Sequence, residues 1–160
     1  MNEEFRKELR DYAWSYFALH AEQRLKTFHF YLIVATLIAG GVVALAKDAS
    51  RCGGAAAIMA LLLPFLSLVF WKLDERNKQL IRHGEEALKL IEKESGLEDN
   101  GEQPHRLKLF LHEEYVTAQR PRLPHWPPWS AHFSYSTCFR AVFLVFGICG
   151  FVSGVILLLV

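Results

Sequence analysis

Three apolar runs, 28–46, 53–71 and 141–160, contain not one Asp, Glu, Lys or Arg. At 19 or 20 residues each, they would make roughly 28–30 Å of helix, about the thickness of a bilayer's hydrocarbon core. A charge at the bilayer centre costs about 2.5–3.5 kcal/mol on insertion scales. Its absence from all 58 positions therefore points to lipid as the solvent for these runs. The expected fold class is an all-α membrane protein with three transmembrane helices.

Bulk composition conceals this pattern. A mean hydropathy of +0.14 and a net charge of +1 average very apolar runs with a charged remainder. All but three of the charges lie in two blocks, 1–27 with five of each sign and 72–140 with eleven of each. That balance gives no case for bulk nucleic-acid binding. The three cysteines, Cys52, Cys138 and Cys149, show no CxxC spacing and read as small hydrophobes rather than a disulfide or zinc framework.

The linker 47–52 is so short that the first two runs must form an antiparallel hairpin. Lys47 and Arg51 are the bases on its side. On the other side stand Arg24, Lys26, Lys72, Arg76, Lys78, Arg82, Arg120, Arg122 and Arg140. This bias places the N-terminus and the block 72–140 in the cytoplasm. Trp71, Trp126, Trp129 and Tyr135 fall at the same ends, where amphipathic rings favour the headgroup layer.

Four segments follow. Residues 1–27 are expected to form a cytoplasmic amphipathic helix, since no Gly or Pro occurs before Gly40 and Phe5, Leu9, Tyr12, Tyr16 and Leu19 recur on one face. The hairpin occupies 28–71, and 141–160 is the third span. Residues 72–140 are a cytoplasmic helical region plus an interfacial connector, the Pro- and Trp-rich stretch 121–129. Within this block Leu73, Leu80, Ile81, Ala87, Leu88 and Ile91 form a stripe that extends the second span as a helix to Ser95-Gly96. So narrow a stripe on so long a helix calls for partners, and further copies of the chain are the simplest. A loop is expected over 97–104 and a short helix within 105–120.

No HExxH, Walker loop, GxSxG or paired-Cys motif is present, and the carboxylates are scattered along helix faces. The spacing Arg-x4–6-His occurs at Arg24/His29, Arg106/His112 and Arg120/His125, too often in this composition to mark a nuclease. No enzyme, cofactor or metal is expected. A coupled transporter is disfavoured too, because the spans carry no ionisable group near mid-membrane. Candidate helix-packing or pore residues are Thr36, Pro64, Ser67, Gly147, Gly150 and Gly154, the last two a GxxxG. Pro64 frees the carbonyl of Ala60 and is expected to kink its helix. Arg76, Arg82, His83, Arg106 and Lys108 are candidates for a cytoplasmic ligand site or gate.

The runs Tyr16-Phe-Ala-Leu-His-Ala-Glu-Gln-Arg24, Phe70-Trp-Lys-Leu-Asp-Glu-Arg76, Leu80-Ile-Arg-His-Gly-Glu85 and Phe133-Ser-Tyr-Ser136 resemble the RipA-like family of small octameric bacterial inner-membrane proteins. They are also similar to multi-span effectors found beside antiphage systems. The resemblance implies a homo-oligomer that depolarises the membrane as a regulated pore or ion channel. It also implies a nucleotide or oligonucleotide ligand, or a defence-system partner protein. The alternative is a non-conducting scaffold that anchors cytoplasmic partners.

Overall fold

The computed structural model describes residues 3–47, 49–99, 101, 103–119 and 135–159. Four helices account for most of them: α1 (Glu3–Ala46), α2 (Ala49–Lys93), α3 (Leu109–Gln119) and α4 (Tyr135–Leu159). α1, α2 and α4 are each long and apolar enough to cross a membrane. The connector 121–129, with Trp126 and Trp129, lies outside the described residues.

Two helices begin ahead of their apolar runs. α2 begins at Ala49, so the linker is shorter than six residues. α4 begins at Tyr135 and takes in Arg140, ahead of the third apolar run. α2 also continues through Gly53, Gly54 and Pro64. In lipid no water competes for backbone groups, so residues that end helices in solution are tolerated. Outside lipid the usual stop operates. Ser95 Oγ donates to the Glu92 carbonyl at 2.7 Å, and Gly96 takes the left-handed conformation (φ 74°) that closes a helix.

The chain divides into two compact units. The first comprises α1 up to Glu22 and the chain from Asn77 through α3. Its helix pair closes at Gly84, where a Cβ would lie 3.0 Å from Phe17 Cβ. Ala13 of α1 and Leu88 of α2 are buried in this unit. One face of the pair is covered by α3. The Glu92 carboxylate accepts the N–H groups of Phe110 (3.2 Å) and Leu111 (3.0 Å), the two positions that a helix's own N-cap side chain would normally satisfy. The Phe110 ring meets Phe17 edge-on at 5.5 Å, and Lys89 pairs with Glu114 at 3.2 Å.

The approach to α3 is pinned by Asp99, whose carboxylate accepts Lys108 Nζ at 2.8 Å and the His105 N–H at 2.9 Å. These two donors, Lys108 first, hold the Asp99 carboxyl below the usual carboxylate range. A lowered folded-state pKa stabilises above the unfolded value and loses that effect as pH falls through the folded one. The segment 99–108 is therefore expected to stay pinned at neutral pH and to loosen only below about pH 4. Asp99→Ala should loosen it at pH 7, read as faster tryptic cleavage after Arg106 and Lys108 with helical circular dichroism retained.

The second unit comprises the rest of α1 and α2 together with α4. Its core is aromatic: Tyr31, Ala35, Leu63, Phe139 and Phe143 are buried together. Residues about equally far from the linker face each other across the hairpin, as in Tyr31 with Ser67 and Arg24 with Asp74. α4 lies against both helices of this hairpin.

Candidate functional site

In the second unit one charged cluster joins all three long helices. Arg24 of α1 grips Asp74 of α2 with two parallel bonds, Nε–Oδ1 at 2.6 Å and Nη2–Oδ2 at 3.1 Å. Nη2 also donates to Ser136 Oγ of α4 at 3.2 Å. Both ionic side chains are well buried, at 13% and 6% exposure, and the guanidinium lies 5.1 Å from the centroid of Phe139. A planar fork matched to a carboxylate and stacked on a ring is a role Lys would not fill.

An aromatic column continues from this clamp. Phe139 stacks on Phe28 at 3.8 Å, Phe143 meets both Phe28 and Tyr31 edge-on, and Tyr31 contacts Phe70 and Phe146. At its far end the Tyr31 hydroxyl and Ser67 Oγ are 2.8 Å apart, and Ser67 donates to the Leu63 carbonyl. A second ionic group stands nearby, where Glu75 bonds Lys72 at 3.0 Å and Arg140 at 3.5 Å. The Lys72 hydrogen bond, with charge from both bases, keeps the Glu75 carboxyl below its ordinary range.

Most span residues singled out from sequence lie at the contact between α2 and α4. A Cβ on Gly147 would touch Ser67 at 3.4 Å, and one on Gly154 would overlap Leu61 at 2.8 Å. On Gly150 it would come within 2.5 Å of Leu63 Cβ, 2.9 Å of the Ala60 oxygen and 3.0 Å of Pro64 Cδ. The carbonyl that Pro64 deprives of its helical donor thus lies directly under Gly150. Thr36 is different. It is exposed, its hydroxyl bonding back to Leu32 and Ile33 of its own helix.

The exposed surface of α1 carries a pattern that sequence reading missed. His29, Ile33, Thr36 and Gly40 are all exposed and recur at four-, three- and four-residue intervals, so they share one stripe. A Cβ on Gly40 would meet nothing within 4 Å. The outward residues of the other spans are Leu, Ile, Val and Phe for the most part.

Four of the five proposed ligand residues, Arg82, His83, Arg106 and Lys108, lie in the first unit, and they do not converge there. Lys108 is buried and paired with Asp99. His83 lines a groove on one face of the α1–α2 pair, Lys108 a groove on the other. Arg82 and Arg106 are exposed, and Arg76 belongs to the second unit and is exposed there. Unforeseen from sequence is the second groove itself, about 790 Å³, where Arg6, Lys7 and Arg10 gather beside Trp14 and Phe110. Among the described residues no cluster of His, Cys, Asp or Glu could hold a metal ion.

The family model described as the octameric membrane protein family (8xMP) matches residues 7–159. The chain belongs to this family. It is an oligomeric, multi-pass membrane protein, and the match runs through both units. Its sequence is similar to CD-NTase-associated protein 19 of Escherichia coli, with 29% identity over 150 residues covering 94% of this chain and 90% of that one. No solved structure matches it.

For this octameric membrane protein the clamp and the glycine seat are separately testable. Asp74→Asn leaves a buried guanidinium without its counter-charge, a loss of about 3–5 kcal/mol. A marked fall in the thermal midpoint in detergent is expected, with little change for Glu75→Gln at the exposed pair. Gly150→Leu should cost about 1–3 kcal/mol by overpacking, whereas Gly40→Leu should leave the midpoint of the isolated subunit unchanged.

Proposed function

We propose that eight copies form a regulated pore in the inner membrane, with cytoplasmic N-termini, that depolarises the cell during antiphage defence. The observation that carries this reading is the α1 stripe of His29, Thr36 and Gly40. At the α1–α2 and α2–α4 contacts the hydroxyls of Tyr31 and Ser67 are turned inward and bonded to each other, and Gly150 and Gly154 are buried. Thr36 instead presents a hydroxyl on a surface that lipid alone does not require.

Eight such stripes facing a common axis would line a passage with hydroxyls, glycine and imidazole. Neighbouring Ile33 and Leu37, both exposed, supply a hydrophobic constriction able to close it by dewetting. No intramembrane charge is needed for that mode of gating. The similarity to a CD-NTase-associated protein supports a defence setting and a nucleotide-class activator. Arg6, Lys7 and Arg10 beside Trp14 offer phosphate contacts and a stacking ring for such a ligand. Arg76, Arg82, His83 and Arg106 remain candidates for the same sensing role.

The test is current through purified protein in planar bilayers, with and without nucleotide activators. Activator-dependent conductance is expected, with most of it lost in Gly40→Leu and altered ion preference in Thr36→Val. Silence under every condition, from particles of full oligomeric mass, would favour the scaffold reading instead.

A further inference from the structure

Among the described residues, the α1–α2 pair of the first unit is covered on one face by α3 and bare on the other. The bare face is an apolar groove of about 570 Å³ lined by Leu9, Tyr12, Tyr16, Gly84, Ala87 and Leu90, among others. Tyr12 is 72% and Leu90 61% exposed, whereas side chains on a solvated helix face are ordinarily polar. The α3 side has its own outward apolar group. Leu107 is 70% and Leu109 68% exposed, beside half-exposed Trp14.

These two surfaces lie on opposite sides of the helix pair. At about 100° per residue, His83, Ala87, Leu90 and Glu94 share one side of α2, while Leu88, Lys89 and Glu92 lie close to half a turn away. The first set lines the groove, and Lys89 and Glu92 bind α3. The charges differ as well. The groove's lining holds one acidic residue, Glu94, and His83, with no Lys or Arg. On the α3 side, with Lys108 paired to Asp99 and Glu92 engaged by α3, the remaining lining charges are Arg6, Lys7 and Arg10 against Asp11.

Symmetry then decides what covers them. Copies of one chain inserted by the same charge rule cross the bilayer in the same direction, so their symmetry axes can only follow the bilayer normal. Dihedral arrangements, which would invert half the copies, are removed. Eight copies about one axis make a ring, and every contact between neighbours in such a ring joins two different faces of the subunit. A self-complementary patch cannot build it.

We propose that the Leu9–Tyr12–Leu90 groove of each copy receives the Trp14–Leu107–Leu109 surface of the next copy around the ring. The apolar surfaces bury each other, and the basic rim of Arg6, Lys7 and Arg10 comes towards Glu94. The contact rests on the family's octameric assembly and not on conduction, so a silent bilayer recording leaves it standing. It also places the basic groove at a subunit boundary, where an occupant would bear on how neighbouring copies meet.

The test is cysteine crosslinking of the full-length protein in membranes, with Cys52, Cys138 and Cys149 replaced by alanine. Copies carrying Leu90→Cys and copies carrying Leu109→Cys are co-expressed and treated with a short bismaleimide. Dimers should form in the mixture and be nearly absent from either variant alone. One chain bearing both substitutions should give a ladder rising to eight. The pair Tyr12→Cys and Leu107→Cys repeats the test should the first disturb folding, and retained oligomer mass confirms assembly. Crosslinking of Leu90→Cys to its own kind would overturn the proposal. So would adducts confined within one chain, or no adduct from either pair in particles of full mass.

Discussion

A guanidinium and a carboxylate withdrawn from water together fix how the three long helices meet. Arg24 and Asp74 stand just beyond the charge-free runs, where leaving either one unpaired would be costly and pairing both is geometrically demanding. Because the fork uses two parallel bonds and a third to Ser136, it sets the register of α1 against α2 and the rotation of α4 at once. Phe139 lies beneath the guanidinium and stacks on Phe28, so the ionic clamp and the aromatic column are one construction. Hydrophobic transfer cannot drive helices together inside lipid, so directional contacts of this kind, close packing at Gly150, and the Tyr31–Ser67 bond must supply the specificity.

This division of labour leaves α1 as the helix with something over. Its inner face gives Tyr31 and Ala35 to the core, and its outer face gives His29, Thr36 and Gly40 to whatever lies beyond the subunit. The first unit repeats the theme outside the spans, with Phe17 turned to Gly84 and Phe110 while Tyr12 is left on the surface. Neither surface has an occupant among the described residues of one chain. Membership of an octameric family accounts for such leftovers, since the subunit is folded for neighbours as much as for itself.

The spans, the hairpin and the unbroken α1 were legible in the sequence because lipid imposes a rule, the exclusion of charge, that acts on each residue separately. Pairings were harder. Arg24 was visible only as a topology signal, yet its distance from the linker, equal to that of Asp74, already placed the two opposite one another. They also lie, with Ser136, inside the runs that carried the family resemblance. The α4 glycines were legible as one face, but periodicity says which residues share a face and not what covers it. That Gly150 would rest on Ala60 and Pro64 depends on the position of another helix. Glu92 capping α3 and Asp99 burying Lys108 were out of reach, since each joins an ordinary charged residue to a site set by the chain's path between them. The exposed α1 stripe needed knowledge of which face α2 and α4 had already taken.

The most direct test of this account is the water accessibility of α1 in the assembled membrane protein. Single cysteines at positions 29–44, in a background without native cysteines, would be reacted with a small charged thiol reagent in intact membranes. The account predicts a helical pattern, with labelling at 33, 36 and 40 and protection at 31, 35 and 42. Uniform protection along the helix, or labelling centred on 31 and 35, would contradict it.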